Sequence, residues 1–70
     1  MDWTNEELSA DEAAIRAAVP GVRFTRTDYD LSLEAWLPDR SKSVIVAQAP
    51  RPHQDGLRTP AREAIAFLLG

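Results

Sequence analysis

Cysteine is absent from the 70 residues, which excludes both a disulfide framework and a thiolate zinc site. Packing alone must hold the chain together. No stretch approaches the roughly 20 apolar residues of a membrane span, and the acidic opening MDWTNEELSADE is the reverse of a basic signal region. These features describe a soluble, cytoplasmic chain in a reducing compartment with no membrane association. Histidine occurs once, as His53, so His53 and Asp55 have no further His or Cys with which to complete a metal site. Ser9, Ser32, Ser41 and Ser43 lack a Gly-x-Ser-x-Gly elbow, so no Ser/His/Asp hydrolase pattern emerges. The sequence therefore nominates no catalytic residue, no metal and no cofactor, and reads as non-enzymatic.

What is present is one domain's worth of chain, residues 1–70, of a size that buries only about 60% of its unfolded surface. The formal net charge is -3, unevenly distributed. Asp2, Glu6, Glu7, Asp11 and Glu12 all precede the first basic residue, Arg16. Carboxylates so placed complement the dipole of a helix start.

Periodicity supplies the elements. Ser9-Ala10-Asp11-Glu12 forms a capping box with Leu8 and Ala13 as a staple, predicting a helix from about residue 10 with Ala14, Ile15 and Ala18 inward. Thr4-Asn5-Glu6-Glu7 is a second such box. Val19-Pro20-Gly21 ends the helix. Alternation of Val22 and Phe24, then of Leu31, Leu33, Ala35 and Leu37, predicts two strands joined by a four-residue turn over 28–31. A third strand follows over 43–49. A last helix, with Thr59 as N-cap and Pro60 at its first position, sets Ala61, Ala64, Ile65, Leu68 and Leu69 on one stripe and leaves Phe67 off it. The expected fold is α+β, in the order α-β-β-β-α: a three-stranded antiparallel meander with two helices packed on one face.

Such a fold leaves the other sheet face open. Keeping the apolar residues on one side places Arg23 opposite Trp36 and Thr25 opposite Glu34, and an even second turn carries Ile45 beside Trp36. The outer face then presents a row Arg23, Trp36, Ile45 above a row Thr25, Glu34, Ala47. Trp and Arg are enriched at interface hot spots. Against this, Arg23 stacking on the indole, with Trp3 folding back over it, would cover the same surface from within. An odd second turn would exchange Ile45 for Val44 and Val46 and keep the patch apolar.

The stretch RPHQDGLR, residues 51 to 58, reads chiefly as a surface crossover into the second helix. Arg51, Arg58, Thr59 and Arg62 surround the start of that helix, where free N–H groups favour an anion. The element order is also similar to that of double-stranded RNA-binding domains, and the resemblance implies a nucleic-acid or phosphate-binding use of the second helix's N-terminus. Those domains carry a lysine-rich cluster there; RTPAREA supplies only Arg58 and Arg62, and a chain of charge -3 gives phosphate little attraction.

The preferred expectation is thus a small acidic protein-binding module acting as an inhibitor or regulator by docking its open sheet face on a larger protein. Phage and mobile-element inhibitors include chains of this size and type. The alternatives are a nucleic-acid or phosphate-binding domain and a homodimeric interaction subunit.

Overall fold

A computed structural model describes residues 3–70; Asp2 of the acidic run lies outside the described residues. The architecture is α+β, with α1 (Asn5–Ala18), β1 (Arg23–Thr27), β2 (Ser32–Trp36), β3 (Ser43–Gln48), β4 (Leu57–Arg58) and α2 (Ala61–Leu69). The antiparallel sheet runs in the order β1-β2-β3-β4, so the expected meander gains a short fourth strand.

The second capping box, not the first, starts α1. Thr4 is the N-cap and its Oγ accepts from the Glu7 amide at 3.2 Å. Trp3 and Leu8 occupy the two positions of a hydrophobic staple, and both are core residues. The earlier start rotates the buried stripe onto Leu8, Ile15 and the C-cap Val19, leaving the expected inward residues Ala14 and Ala18 exposed. Val19-Pro20-Gly21-Val22 closes the helix as a turn with Val22 N donating to Val19 O, and Gly21 at φ 79° supplies the positive φ of a type II turn.

The β1–β2 register matches expectation: Arg23 faces Trp36, Thr25 faces Glu34 and Thr27 faces Ser32. The turn over 28–31 ends on Leu31 in the left-handed region, at φ 56°. Two bonds surround that residue: Asp30 Oδ1 accepts from Ser32 N, and the buried Trp3 donates Nε1–H to Leu31 O at 2.7 Å. Trp3 is thus an anchor on the helix-covered side and does not fold over Trp36.

β3 departs from strict alternation. Glu34 pairs with Ile45 but Leu33 pairs with Ala47, so Val46 is the extra residue of a bulge. The bulge lets consecutive residues Val46 and Ala47 both be buried. Ala47, expected on the outer face, is a core residue for this reason.

RPHQDGLR is more than a crossover. Arg51 and Gln54 exchange both backbone hydrogen bonds around Pro52-His53, and the chain returns as β4, pairing Leu57 with Gln48 and Arg58 with Ala47. Thr59 continues that strand: its N–H bonds Val46 O and its hydroxyl donates to Ile45 O. It therefore does not cap α2, whose N-cap is Pro60 with no side-chain bond. Ala64 and Leu68 are buried and Ala61 and Ile65 partly so, whereas Leu69, expected on the stripe, is 61% exposed beside the terminal Gly70.

Helix α1 bridges both edges of the sheet. With Leu8 at 0°, Ile15 lies at about -20°, Asn5 and Ser9 at about +60° and +100°, and Asp11 and Glu7 at about -60° and -100°. On one flank Arg26 of β1 donates to Asn5 Oδ1, Asn5 O and Ser9 Oγ; on the other Arg58 of β4 holds Glu7 and Asp11. Between these flanks Leu8 and Ile15 join Leu33, Ala35, Val46, Ala64 and Leu68 in one core.

Candidate functional site

With the core side chains of both helices gathered on one side, the opposite face of the sheet carries no covering element among the described residues. Strand pairing fixes its side chains in rows: Arg23, Trp36, Ser43, then Thr25, Glu34, Ile45. Ile45 lies one pair further along than expected, opposite Glu34. The cause is a six-residue connection, 37–42, closed by Leu37 N donating to Lys42 O at 3.1 Å, which brings Ser43 rather than Ile45 opposite Trp36. The turn count is even, so Ile45 stays on the outer face, where it is 37% exposed, and Val44 packs inward against the core.

Trp36 is half-buried at the centre of this face. Its Nε1–H donates to Thr25 Oγ1 at 3.2 Å, which ties the indole to the neighbouring strand. The cation over the ring is Arg40, 4.8 Å from the centroid, and not Arg23. Arg40 reaches that position because its own backbone is left-handed, at φ 61°, in a turn where Arg40 N donates to Leu37 O and Asp39 Oδ1 accepts from Ser41 N. Those Ser41 bonds, the backbone one foremost, hold the Asp39 carboxyl below its ordinary pKa. No helical or strand pattern marks Arg40; its signal is an Asp-x-Ser turn at the end of a strand that carries an outward Trp.

Two shallow depressions cover the face. One, of about 350 Å³, is lined by Thr25, Glu34, Trp36, Arg40 and Ser43. The other, of about 170 Å³, adjoins it through Thr25 and Glu34 and extends past Ile45 to Ser32, Asp30 and Arg51. Both are open troughs, suited to a protruding segment rather than an engulfed small molecule.

The residues considered for anion binding are dispersed. Arg58 is engaged through Nη1 to Glu7 Oε2 at 2.6 Å and through Nη2 to Asp11 Oδ2 at 2.9 Å. The bonds to Asp11, then to Glu7, raise its pKa and keep it charged. Thr59 has its hydroxyl on the Ile45 carbonyl, Arg62 is exposed on α2, and Arg51 lies in the β-turn on the sheet-face side. Among the described residues no group of three or more His, Cys, Asp or Glu side chains is placed to hold a metal ion, and no helix is long and apolar enough to cross a membrane. Comparison with protein-family models, with curated proteins and with solved structures yields no match.

Proposed function

We propose that this chain is a non-enzymatic protein-binding module, cytoplasmic, that inhibits or regulates a larger protein by docking its outer sheet face, centred on Trp36. One observation carries the reading. The two helices and the Trp3 anchor are spent on one side of the sheet, and the other side holds a fixed indole, an arginine stacked on it and an exposed Ile45. A half-buried Trp with its N–H satisfied offers a large rigid contact area at little ordering cost, as hot-spot residues do.

The test is affinity capture from nuclease-treated host lysate, comparing wild type with Trp36→Ala and reading bound proteins by mass spectrometry. A protein retained by wild type and lost by the variant supports docking through this face. If capture is independent of Trp36 while the variant remains folded, the docking reading fails.

A further inference from the structure

The two edges of the sheet are finished differently. β4 is two residues long, has Pro50 and Pro52 before it and Pro60 after it, and is held to α1 through Arg58. So short an edge, hemmed by prolines, offers little to a further strand. β1, at the opposite edge, runs five residues, Arg23–Thr27, with no proline, no glycine and an unbroken register against β2. Among the described residues, no backbone hydrogen bond reaches 23–27 from any element other than β2. Charge is a common guard of such an edge, but the Arg26 guanidinium is drawn up onto Asn5, Ser9 and Asp28, which leaves Arg23 at the strand's first position.

The sequence of this edge, RFTRT, is complementary to itself when reversed. An antiparallel pair of identical strands has a two-fold axis normal to the sheet, so one residue must face its own copy. Centring on Arg26 sets guanidinium against guanidinium, and centring on Phe24 leaves Thr27 opposite Gly21, outside the strand. Centring on Thr25 pairs all five residues with strand residues. Arg23 then faces Thr27 of the second copy, Phe24 faces its Arg26, and no like charges stand directly opposite. Each arginine near that ring keeps its own carboxylate, Glu12 for Arg16 and Asp28 for Arg26. On the axis the Thr25 hydroxyl accepts from Trp36 Nε1 and, among the described residues, has no acceptor for its own proton; the Thr25 hydroxyl of the second copy supplies one.

We propose that β1 is a self-pairing edge: two copies of this chain join antiparallel through Arg23–Thr27 with Thr25 on the two-fold axis, making one continuous sheet from two four-stranded ones. The axis keeps both helix layers on one side and both outer faces on the other. Thr25 lines both troughs, so the troughs of the two copies flank the junction and the two Trp36 side chains share one surface. This pairing is independent of the docking reading and would make such a surface bivalent.

The experiment is sedimentation equilibrium from about 10 µM to about 1 mM, a range set by the small size of a five-residue ladder. The expected mass rises from one chain towards two. Thr25→Glu, which adds two carboxylates at the axis beside the two Glu34 side chains, should weaken assembly by roughly tenfold or more, with circular dichroism showing that the variant is folded. Because the chain has no cysteine, single cysteines read the register. Thr25→Cys should oxidise to a disulfide-linked dimer, since facing Cα atoms lie about 4.5–5.5 Å apart, within disulfide reach. Arg23→Cys alone should not, being more than about 13 Å from its own copy, yet it should cross-link to Thr27→Cys when the two are mixed. The proposal is overturned by a single-chain mass throughout the range, by a folded Thr25→Glu chain that assembles as tightly as wild type, or by Arg23→Cys linking to itself as fast as Thr25→Cys. Assembly lost in Trp36→Ala but kept in Thr25→Glu also overturns it, because the copies then meet through the outer face.

Discussion

Removing the indole of Trp3 should unfasten the N-terminus from the sheet. Trp3 is only 4% exposed, joins Leu8 in the core and donates to Leu31 O at 2.7 Å. Truncating a buried Trp to Ala costs about 3–5 kcal/mol, against a total stability of roughly 4–10 kcal/mol for a domain of this length. Trp3→Ala should therefore lower Tm by about 12 °C or more, at about 4–8 °C per kcal/mol for small domains. Trp3→Phe separates packing from polarity: it keeps most of the ring but leaves the partly buried Leu31 carbonyl without its donor, for a loss of about 1 kcal/mol and about 4–8 °C. Far-UV circular dichroism gives both melting curves. Trp36→Phe as a common background leaves Trp3 the sole indole, so its emission should shift to the red on unfolding and be shifted already before heating in any form where the segment is loose. If Trp3→Ala melts within about 2 °C of wild type, less than the loss of even a single 1 kcal/mol contact would give, the N-terminal segment is not stapled and the start of α1 assigned above is wrong.

Three more expectations follow from the same packing. Arg58→Ala leaves Glu7 and Asp11, one helical turn apart, facing each other without a cation, so stability should fall by about 1 kcal/mol and the loss should shrink as salt screens it, read by urea midpoints at low and high ionic strength. Leu68→Ala, at a side chain 4% exposed, should cost about 2–5 kcal/mol, whereas Ile65→Ala, only partly buried, should cost distinctly less; equal losses in chemical denaturation would contradict the burial of the α2 stripe. Asp39 has a folded-state pKa below its unfolded one, so its contribution is present above the unfolded value, near pH 4, and disappears as pH falls through the folded value; Asp39→Asn should flatten stability against pH in that acid window, and a carboxyl carbon titration of Asp39 at the ordinary aspartate value would refute the turn geometry.

Much of this fold is legible in the residues because local and global signals agree. Val22 and Phe24 alternate on one side of the first turn and Leu31 to Leu37 on the other, and that turn has no glycine to slip on, so the β1–β2 register follows from burial alone. The end of α1 was equally plain in Val19-Pro20-Gly21. Its start was not, because two capping boxes compete within nine residues and long-range contacts, Trp3 with Leu31 foremost, select the earlier one. The outer-face residues Arg23, Thr25, Glu34, Trp36 and Ile45 were placed on the correct side, yet Ile45 moved one pair and Ala47 moved inside. Both shifts trace to connections: the tight 37–42 turn and the Val46 bulge leave no periodic trace in six residues. β4 was hidden by Pro50 and Pro52, which break alternation while supplying the turn that brings the strand back; the Arg51 to Gln54 turn, with proline at its second position, is the signal to look for. Arg40 escaped notice because its importance comes from a backbone angle, not from a pattern.

The span of α1 across the sheet also sets an order of events during synthesis. This helix is made first, yet the groups that hold its two flanks, Arg26 and Arg58, lie 17 and 47 residues beyond Ser9 and Asp11 respectively. A nascent chain that has exposed α1 and β1 but not β4 has one flank tied and the other, with Glu7 and Asp11, bare and mutually repelling. Native closure must wait until β4 has been delivered, and until then α1 carries Glu7 and Asp11 without the cation that holds them in the folded chain.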